Sequence, residues 1–443
     1  QVFGGETWNF GAALQVHRRI AWYSRDMDPA RFTSTRFGTV EREPGNKASF
    51  PYFRPAPIPR ELELGSRTVQ LLSEADAAVG QLQGLSQVIQ DPELLVGPYL
   101  RREAVASSRI EGTQASLSDL LQSEASEGEP MSEDVAEVER YLAATRHGYE
   151  AIRTLPITQR LIMELHEILL DGVRGRDKLP GELRRPPVWI GAAHDNPDTA
   201  VFVPPLPNVL PDSLSDWEDF VNTPGQLPVL IRCGLMHYQF ETIHPFLDGN
   251  GRIGRLLINL MLAEAGRLQH PLLYISGYFE THRAEYYHRL QKVREEGLID
   301  DWLQFFLTGV KLQALDANTR AKRLIQIRER YLLEGGATRS SLMVLARVLF
   351  TNPFVTVKSV ERLTGLTNQG ARNLVRSAVE RGWLTELGTI GRGGRSYWVA
   401  QEVFDVIEAP MVYHREDDAG TAFNQRRSEE HTSELQSHSG ISY

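Results

Sequence analysis

The sequence predicts a mainly α protein: a helical body carrying one short β-hairpin, followed by a smaller helix-turn-helix unit with two short strands. Three observations carry this. Apolar residues recur at helical spacing through most of the chain from Leu62 to Leu333. That rhythm breaks between 183 and 203, where two β-like runs flank the polar tip HDNPD. Charge then changes sign: residues 337–400 hold nine Lys/Arg against three acids, a net of +6 in a chain of net −9. The remainder is therefore −15, and the basic segment reads as a separate module.

Residues 1–46 mix Gly, Pro and scattered charges without a sustained period and read as an irregular extension. The prolines of FPYFRPAPIP impose an extended arm over 49–59. Helical periodicity then runs through Leu71, Leu72, Ala75, Val79 and Leu82. A second helix is expected over 99–110. Ser116, with Asp119 three positions on, caps a third. Further helices are expected at 135–152 and, after Pro156, at 158–170. In the interruption, VWIG (Val188, Trp189, Ile190, Gly191) and AVFVPP form the hairpin. Helices resume at 213–222, 229–242, 252–265, 282–296, 300–308 and 313–333. In the basic segment, 357–363 is a first helix, GLT a turn and 368–381 a second helix. WLTEL and SYWVA flank the glycine-rich tip GTIGRGGR, which completes a winged-helix pattern.

Composition sets limits. A hydrophobic fraction of 41% and a charged fraction of 24% are those of a soluble globular protein. No run approaches ~18 apolar residues, so no membrane span is expected, and no secretory signal is visible. The single cysteine, Cys233, excludes an internal disulfide and a multi-cysteine zinc site. A cytoplasmic location is expected. The net negative charge argues against nucleic-acid binding by the whole surface. The second helix of the basic module presents Arg372, Asn373 and Arg376, and its wing Arg392 and Arg395. Contact with DNA through 337–400 and docking of protein are both open there.

The densest polar chemistry is HPFLDGNGRIGR, from His244 to Arg255. A helix apolar at Leu230, Cys233 and Phe240 delivers the chain to His244, and Pro245 ends it. Gly249 and Gly251 allow backbone N–H groups to face one point. A helix starting near Arg252 aims its positive end there, and Arg252 and Arg255 add phosphate donors. Asp248 adds a hard oxygen ligand for Mg²⁺. His244 stands beside this cradle, a residue type suited to taking a proton from a hydroxyl. An EF-hand fails, because Arg252 and Asn259 would fall on ligand positions. A P-loop fails, because no GK[ST] follows the glycines.

These twelve residues match, without a gap, the signature of Fic-domain proteins, and the chain resembles that family from about residue 50 to 307. The likeness includes PYFRPAPIP, REAVASSRIEGTQ, GELR with VWIG and AVFVPP, and SGYFETHRAEYYHRL. It implies a Fic helical bundle with a hairpin flap, and transfer of AMP from ATP to a hydroxyl of a target protein. By the same resemblance His244 is the base, Asp248 the Mg²⁺ ligand, and Gly249, Asn250, Gly251, Arg252 and Arg255 the phosphate holders. Tyr287 lines the nucleobase pocket, and the flap at Val188, Trp189, Ile190 and Gly191 registers the target by strand pairing. The implied boundaries are a Fic N-terminal region at 47–130, a catalytic core at 131–333, a winged helix at 334–410 and a disordered tail at 411–443. Residues 427–437 resemble the translation of a sequencing-library adapter, and 427–443 are set aside.

Upstream, SSRIEG places Ser107 and Glu111 on one helical face, followed by Gly112. It matches the family's inhibitory motif, which implies that Glu111 pairs with Arg255 and displaces a γ-phosphate. Relatives in which this glutamate supports removal of AMP keep that reaction open. So are transfer of another phosphate-containing group and a DNA-binding regulator whose core only senses nucleotide. A homodimer is open as well.

Overall fold

The computed structural model describes residues 27–42, 49–88, 93–126, 132–191, 195–335, 341–390 and 395–409. Residues 1–26, the tail beyond 409, and Arg392 of the expected wing lie outside them.

Two long helices form the spine. Helix α1 (Ser66–Val88) turns Leu71, Ala75, Ala78, Val79 and Leu82 inward against α11 (Ile299–Gly335). Thr68 donates to Asp300 at 2.8 Å and Lys311 pairs with Glu74 at 3.2 Å along that seam. The sequence predicts two helices where α11 is one. Gly309, which suggests a break, instead admits the ring of Tyr278: a Cβ there would lie 2.5 Å from Tyr278 Cδ1. Close packing, not chain reversal, explains this glycine.

Between these helices the chain builds the bundle that positions the site. Helix α2 (Glu93–Ile110) is followed by α3 (Leu117–Ser126), whose predicted cap is present: Ser116 Oγ accepts from Asp119 N at 3.0 Å, and the Asp119 carboxylate accepts from Ser116 N at 2.9 Å. Then come α4 (Glu133–Ala151), α5 (Gln159–Leu170), capped by Thr158, and α6 (Leu210–Asn222). Helices α7 (Val229–Ile243) and α8 (Asn250–Glu264) flank the twelve-residue motif. A short helix not expected from the sequence, α9 (Ile275–Thr281), precedes α10 (Arg283–Glu296).

Among the described residues, the expected hairpin at 188–203 shows one antiparallel bridge, Ile190 with Phe202. Its support comes from the extension read as irregular. Strands β1 (Gly38–Glu41) and β2 (Tyr52–Pro55) pair antiparallel, and Phe53 N donates to Val203 O at 2.9 Å. Met27, Tyr52, Phe53, Phe202 and Val203 form a small apolar cluster beneath Trp189. Phe37 packs edge-on to Tyr238 of the body. Residues 27–42 are therefore part of the fold, because they cover the flap.

The C-terminal part runs α12 (Ser341–Thr351), β3 (Phe354–Val355), α13 (Val357–Thr364), α14 (Asn368–Glu380), β4 (Thr385–Ile390), β5 (Arg395–Val399) and α15 (Gln401–Glu408). Its sheet order is β3-β5-β4, all antiparallel. Thr356 and Ser359 cap α13 reciprocally, and Gly365 at φ 69° ends it. Trp383 stacks on Tyr331 of α11 at 4.4 Å and 3°, so this part shares its core with the body.

Candidate active site

Helix α7 ends at His244, which takes the left-handed conformation (φ 50°) and donates its N–H to Phe240 O at 2.9 Å. This conformation is costly for a non-glycine residue, so its surroundings must hold it. Arg184, from the GELR segment, does so. Its Nε donates to His244 O at 2.8 Å, its Nη2 to Ile243 O at 3.3 Å and to Pro205 O, and its backbone N–H to Pro245 O at 2.9 Å. Burial lowers the Arg184 pKa, and the carbonyls around it compensate for the lost water.

Two more clamps close the loop. His166 of α5 stacks on Phe246 at 3.8 Å, nearly parallel. Gly181 N–H donates to its Nδ1 at 3.0 Å, which places the ring proton on Nε2, facing Asp248 O at 3.1 Å. Burial pushes its pKa down to about 4, so the ring is neutral. Asn250 bonds the main chain of Phe246 twice, accepting from N and donating to O at 2.9 Å each. The Asn250 side chain is therefore spent on the loop.

Gly249 caps α8 at φ 76° without a side chain, as the glycine reading requires. The first bond of this helix turn is Ile253 N to Gly249 O at 3.0 Å, so the N–H groups of Asn250, Gly251 and Arg252 have no helical acceptor. Asp248 Oδ1 accepts from Gly249 N at 2.6 Å and from Arg252 Nη2 at 3.3 Å. Arg252 is almost fully buried, with no hydrogen bond to its Nε. Glu137 of α4 faces it at 3.9 Å while accepting from Thr113 Oγ1 and Arg174 Nη2, both at 2.9 Å.

Arg255 is wholly buried and gripped by α2. Its Nε donates to Ser107 Oγ at 3.0 Å, and its Nη2 to Ser107 O at 2.8 Å and to Glu111 Oε1 at 2.7 Å. Burial alone would favour losing its proton; Glu111, acting with Tyr286, Tyr287 and Glu241, outweighs this and holds it charged. Oε1 of Glu111 lies directly against the Cα of Gly251, where any Cβ would collide with it. Gly112, at φ 102°, turns the chain away just afterwards. Tyr287 stands beside the pair: burial raises its hydroxyl pKa, and Glu111 raises it further. Two more carboxyls surround Arg255 that the sequence does not announce, Glu103 and Glu241. Burial pushes both up to about 7, with Arg255 opposing.

Among the described residues no group of three or more His, Cys, Asp or Glu comes together. A metal here would rest on Asp248 and on the substrate's own oxygens. That single-carboxylate donor set fits Mg²⁺, which keeps several waters and binds through phosphates. Trp189 anchors the flap through Nε1 to Asp195 O at 2.9 Å; Val188 and Gly191 flank the Ile190 bridge.

A helix end stripped of a side-chain cap, two buried arginines on its first turns and a histidine alongside define a helical protein with a built anion cradle. Its affiliation is specific. Residues 69–150 match the Fic/DOC family N-terminal model, and residues 156–262 match the Fic/DOC family model. Over these residues the chain thus matches both models of the Fic/DOC family. It is 35% identical over 159 residues to "Protein adenylyltransferase Fic" of Drosophila willistoni, covering 35% of this chain and 28% of that protein. The same protein of Drosophila grimshawi is also 35% identical, with 29% of its length covered. The chain thus spans less than a third of these relatives. The crystal structure of a Fic family protein from Desulfovibrio desulfuricans G20 has the same fold, at TM-score 0.50 and 20% identity over 78% of this chain and 98% of that one.

Proposed function

We propose that the protein transfers AMP from ATP to a Ser, Thr or Tyr hydroxyl of a target protein and of itself, under restraint by Glu111. His244 takes the hydroxyl proton as the oxygen attacks the α-phosphorus. The bond from that phosphorus to the bridging oxygen breaks, and pyrophosphate leaves with the electron pair. The backbone N–H groups of Asn250, Gly251 and Arg252, with Gly249 leaving the helix end open, hold the phosphates. The Arg252 and Arg255 guanidiniums bind the β- and γ-phosphates, and Tyr287 borders the base. Asp248 would hold Mg²⁺, which supplies positive charge to the phosphate oxygens when bound. The flap at Val188, Trp189, Ile190 and Gly191 receives the target as an edge strand. A cytoplasmic setting suits ATP as co-substrate; no helix among the described residues is long and apolar enough to cross a membrane.

The observation that carries the reading is the threefold grip of α2 on Arg255. A γ-phosphate needs that guanidinium, and the Glu111 carboxylate both occupies it and places negative charge against Gly251. ATP then binds with its α-phosphate out of line. Incubating Glu111→Gly protein and wild type with labelled ATP, then identifying labelled residues by mass spectrometry, tests this. AMP on the variant well above wild type is expected, with none on Glu111→Gly/His244→Ala. Equal labelling of variant and wild type removes the restraint.

A further inference from the structure

The helix that carries Ser107 and Glu111 also carries the C-terminal module. Helix α2 lies against α12 as well as α8. A Cβ on Gly97 would meet Arg101 Nη1 at 2.9 Å and the Thr351 carbonyl of α12 at 3.7 Å. Arg101 pairs with Glu124 of α3 at 2.8 Å, and Asn352, just past α12, donates to Leu121 O of α3 at 2.9 Å. Thr356, the N-cap of α13, donates to Ala125 O of α3 at 3.3 Å. On its other side α2 places Arg102 3.5 Å from Asp316 of α11. Asp316 holds Arg320, which donates to Val406 O and Ala409 O at the two ends of the last turn of α15, at 2.6 and 2.7 Å. The helix-turn-helix and the restraining turn are thus joined through α2 and α3 by direct contacts.

Helix α14 is divided sharply. Ala371, Leu374, Val375 and Ala378 are buried, while Gln369, Arg372, Asn373 and Arg376 are exposed at i, i+3, i+4 and i+7. The segment 337–400 carries +6 in a chain whose remainder is −15. Two arginines, Arg372 and Arg376, stand on this exposed face within a basic segment of an otherwise acidic protein, a charge complementary to a polyanion.

We propose that the α13–α14 unit binds duplex DNA through this face of α14, and that binding loosens the Glu111–Arg255 pair through α2. The coupling rests on the AMP-transfer reading for one of its two readouts. Duplex contacts at α14 bear on α13 and α12, and through Thr356 and Asn352 on α3 and α2. All three bonds to Arg255 come from Ser107 in the last turn of α2 and Glu111 just after it, so displacement of that helix end weakens them together. Linkage makes the effect reciprocal: nucleotide seated at Arg255 tightens DNA by the factor by which DNA tightens nucleotide.

The test uses the full chain and a random-sequence duplex of about 30 bp, with binding read by fluorescence anisotropy at about 50 and 200 mM salt. Binding that weakens at least ~10-fold between those salts is expected, and is lost in Arg372→Ala/Arg376→Ala. Saturating duplex should raise wild-type self-labelling about fivefold or more and leave Glu111→Gly unchanged. Asn352→Ala, which leaves the α13 cap intact, should keep duplex binding and lose the rise. No binding at low salt overturns the DNA assignment and favours protein docking. Binding without a change in wild-type labelling, or an equal rise in Glu111→Gly, overturns the coupling. If Glu111→Gly carries no AMP at all, the transferase reading has failed instead. The coupling is then read from duplex affinity with and without ATP, and equal affinities overturn it.

Discussion

Helices α8 and α14 both open beside candidate polyanion sites, yet they are built oppositely. Helix α14 is capped by Thr367, whose Oγ1 accepts from Gly370 N at 3.3 Å. Its end is satisfied, and its polar residues look outward from its side. Helix α8 is capped by Gly249, which offers no side chain, and its arginines are buried. A helix that binds with its end must leave that end uncapped; one that binds with its flank gains from closing it. Buried charge is governed by specific partners, whereas exposed charge is screened by salt.

Changes on either side of this contrast should differ in kind and size. The largest effect is expected from His244→Ala, which should lower AMP transfer on the order of 10³-fold, measured as initial labelling rate in a Glu111→Gly background. Next is the clamp at His166. Its pKa is held at about 4 against an ordinary 6.5, so the unfolded chain binds the proton first as pH falls. The stability of the neutral ring is complete above pH 6.5 and is lost between there and about 4, roughly 3 kcal/mol in all. Denaturant unfolding of wild type and His166→Gln at pH 7 and 4 should show their difference narrowing by about that amount. A difference independent of pH would remove the clamp. His237, pushed down to about 3, acts in the same direction. Glu103 and Glu241, raised to about 7, act in the opposite one, so the comparison must be made against the variant. Glu111→Gly should raise labelling about tenfold to a hundredfold. Smallest is Thr367→Ala, which should cost about 1 kcal/mol of stability and leave labelling unchanged. A change in labelling without duplex present would show that α14 order matters to the core directly.

The parts of the site legible in sequence are those whose partners lie within a turn or two. The glycines, Asp248, Arg252 and Arg255 occupy one short segment, and their spacing alone implies a cradle. Arg184 and His166 were not legible as supports, because they act on residues 60 and 82 positions away. Spacing also gives no clue whether an asparagine uses its side chain or its N–H; the two bonds of the Asn250 side chain to Phe246 become visible only in the fold. Gly309 falls in the gap expected between two helices, and a glycine needed for an approaching ring looks the same in sequence as one that breaks a helix. The pairing of Glu111 with Arg255 crosses 144 residues. It was reached through the family resemblance, with helical spacing supplying only that Ser107 and Glu111 share a face.

The bond from Phe53 to Val203 fills one side of the 200–203 run, and Ile190 fills the other. On the proposed transfer reading, the lane left among the described residues for an arriving protein chain is the outer edge at Trp189 and Gly191. A lane has a direction of travel. The order in which a visitor's residues pass His244 is then set by main-chain polarity before any of its side chains is read.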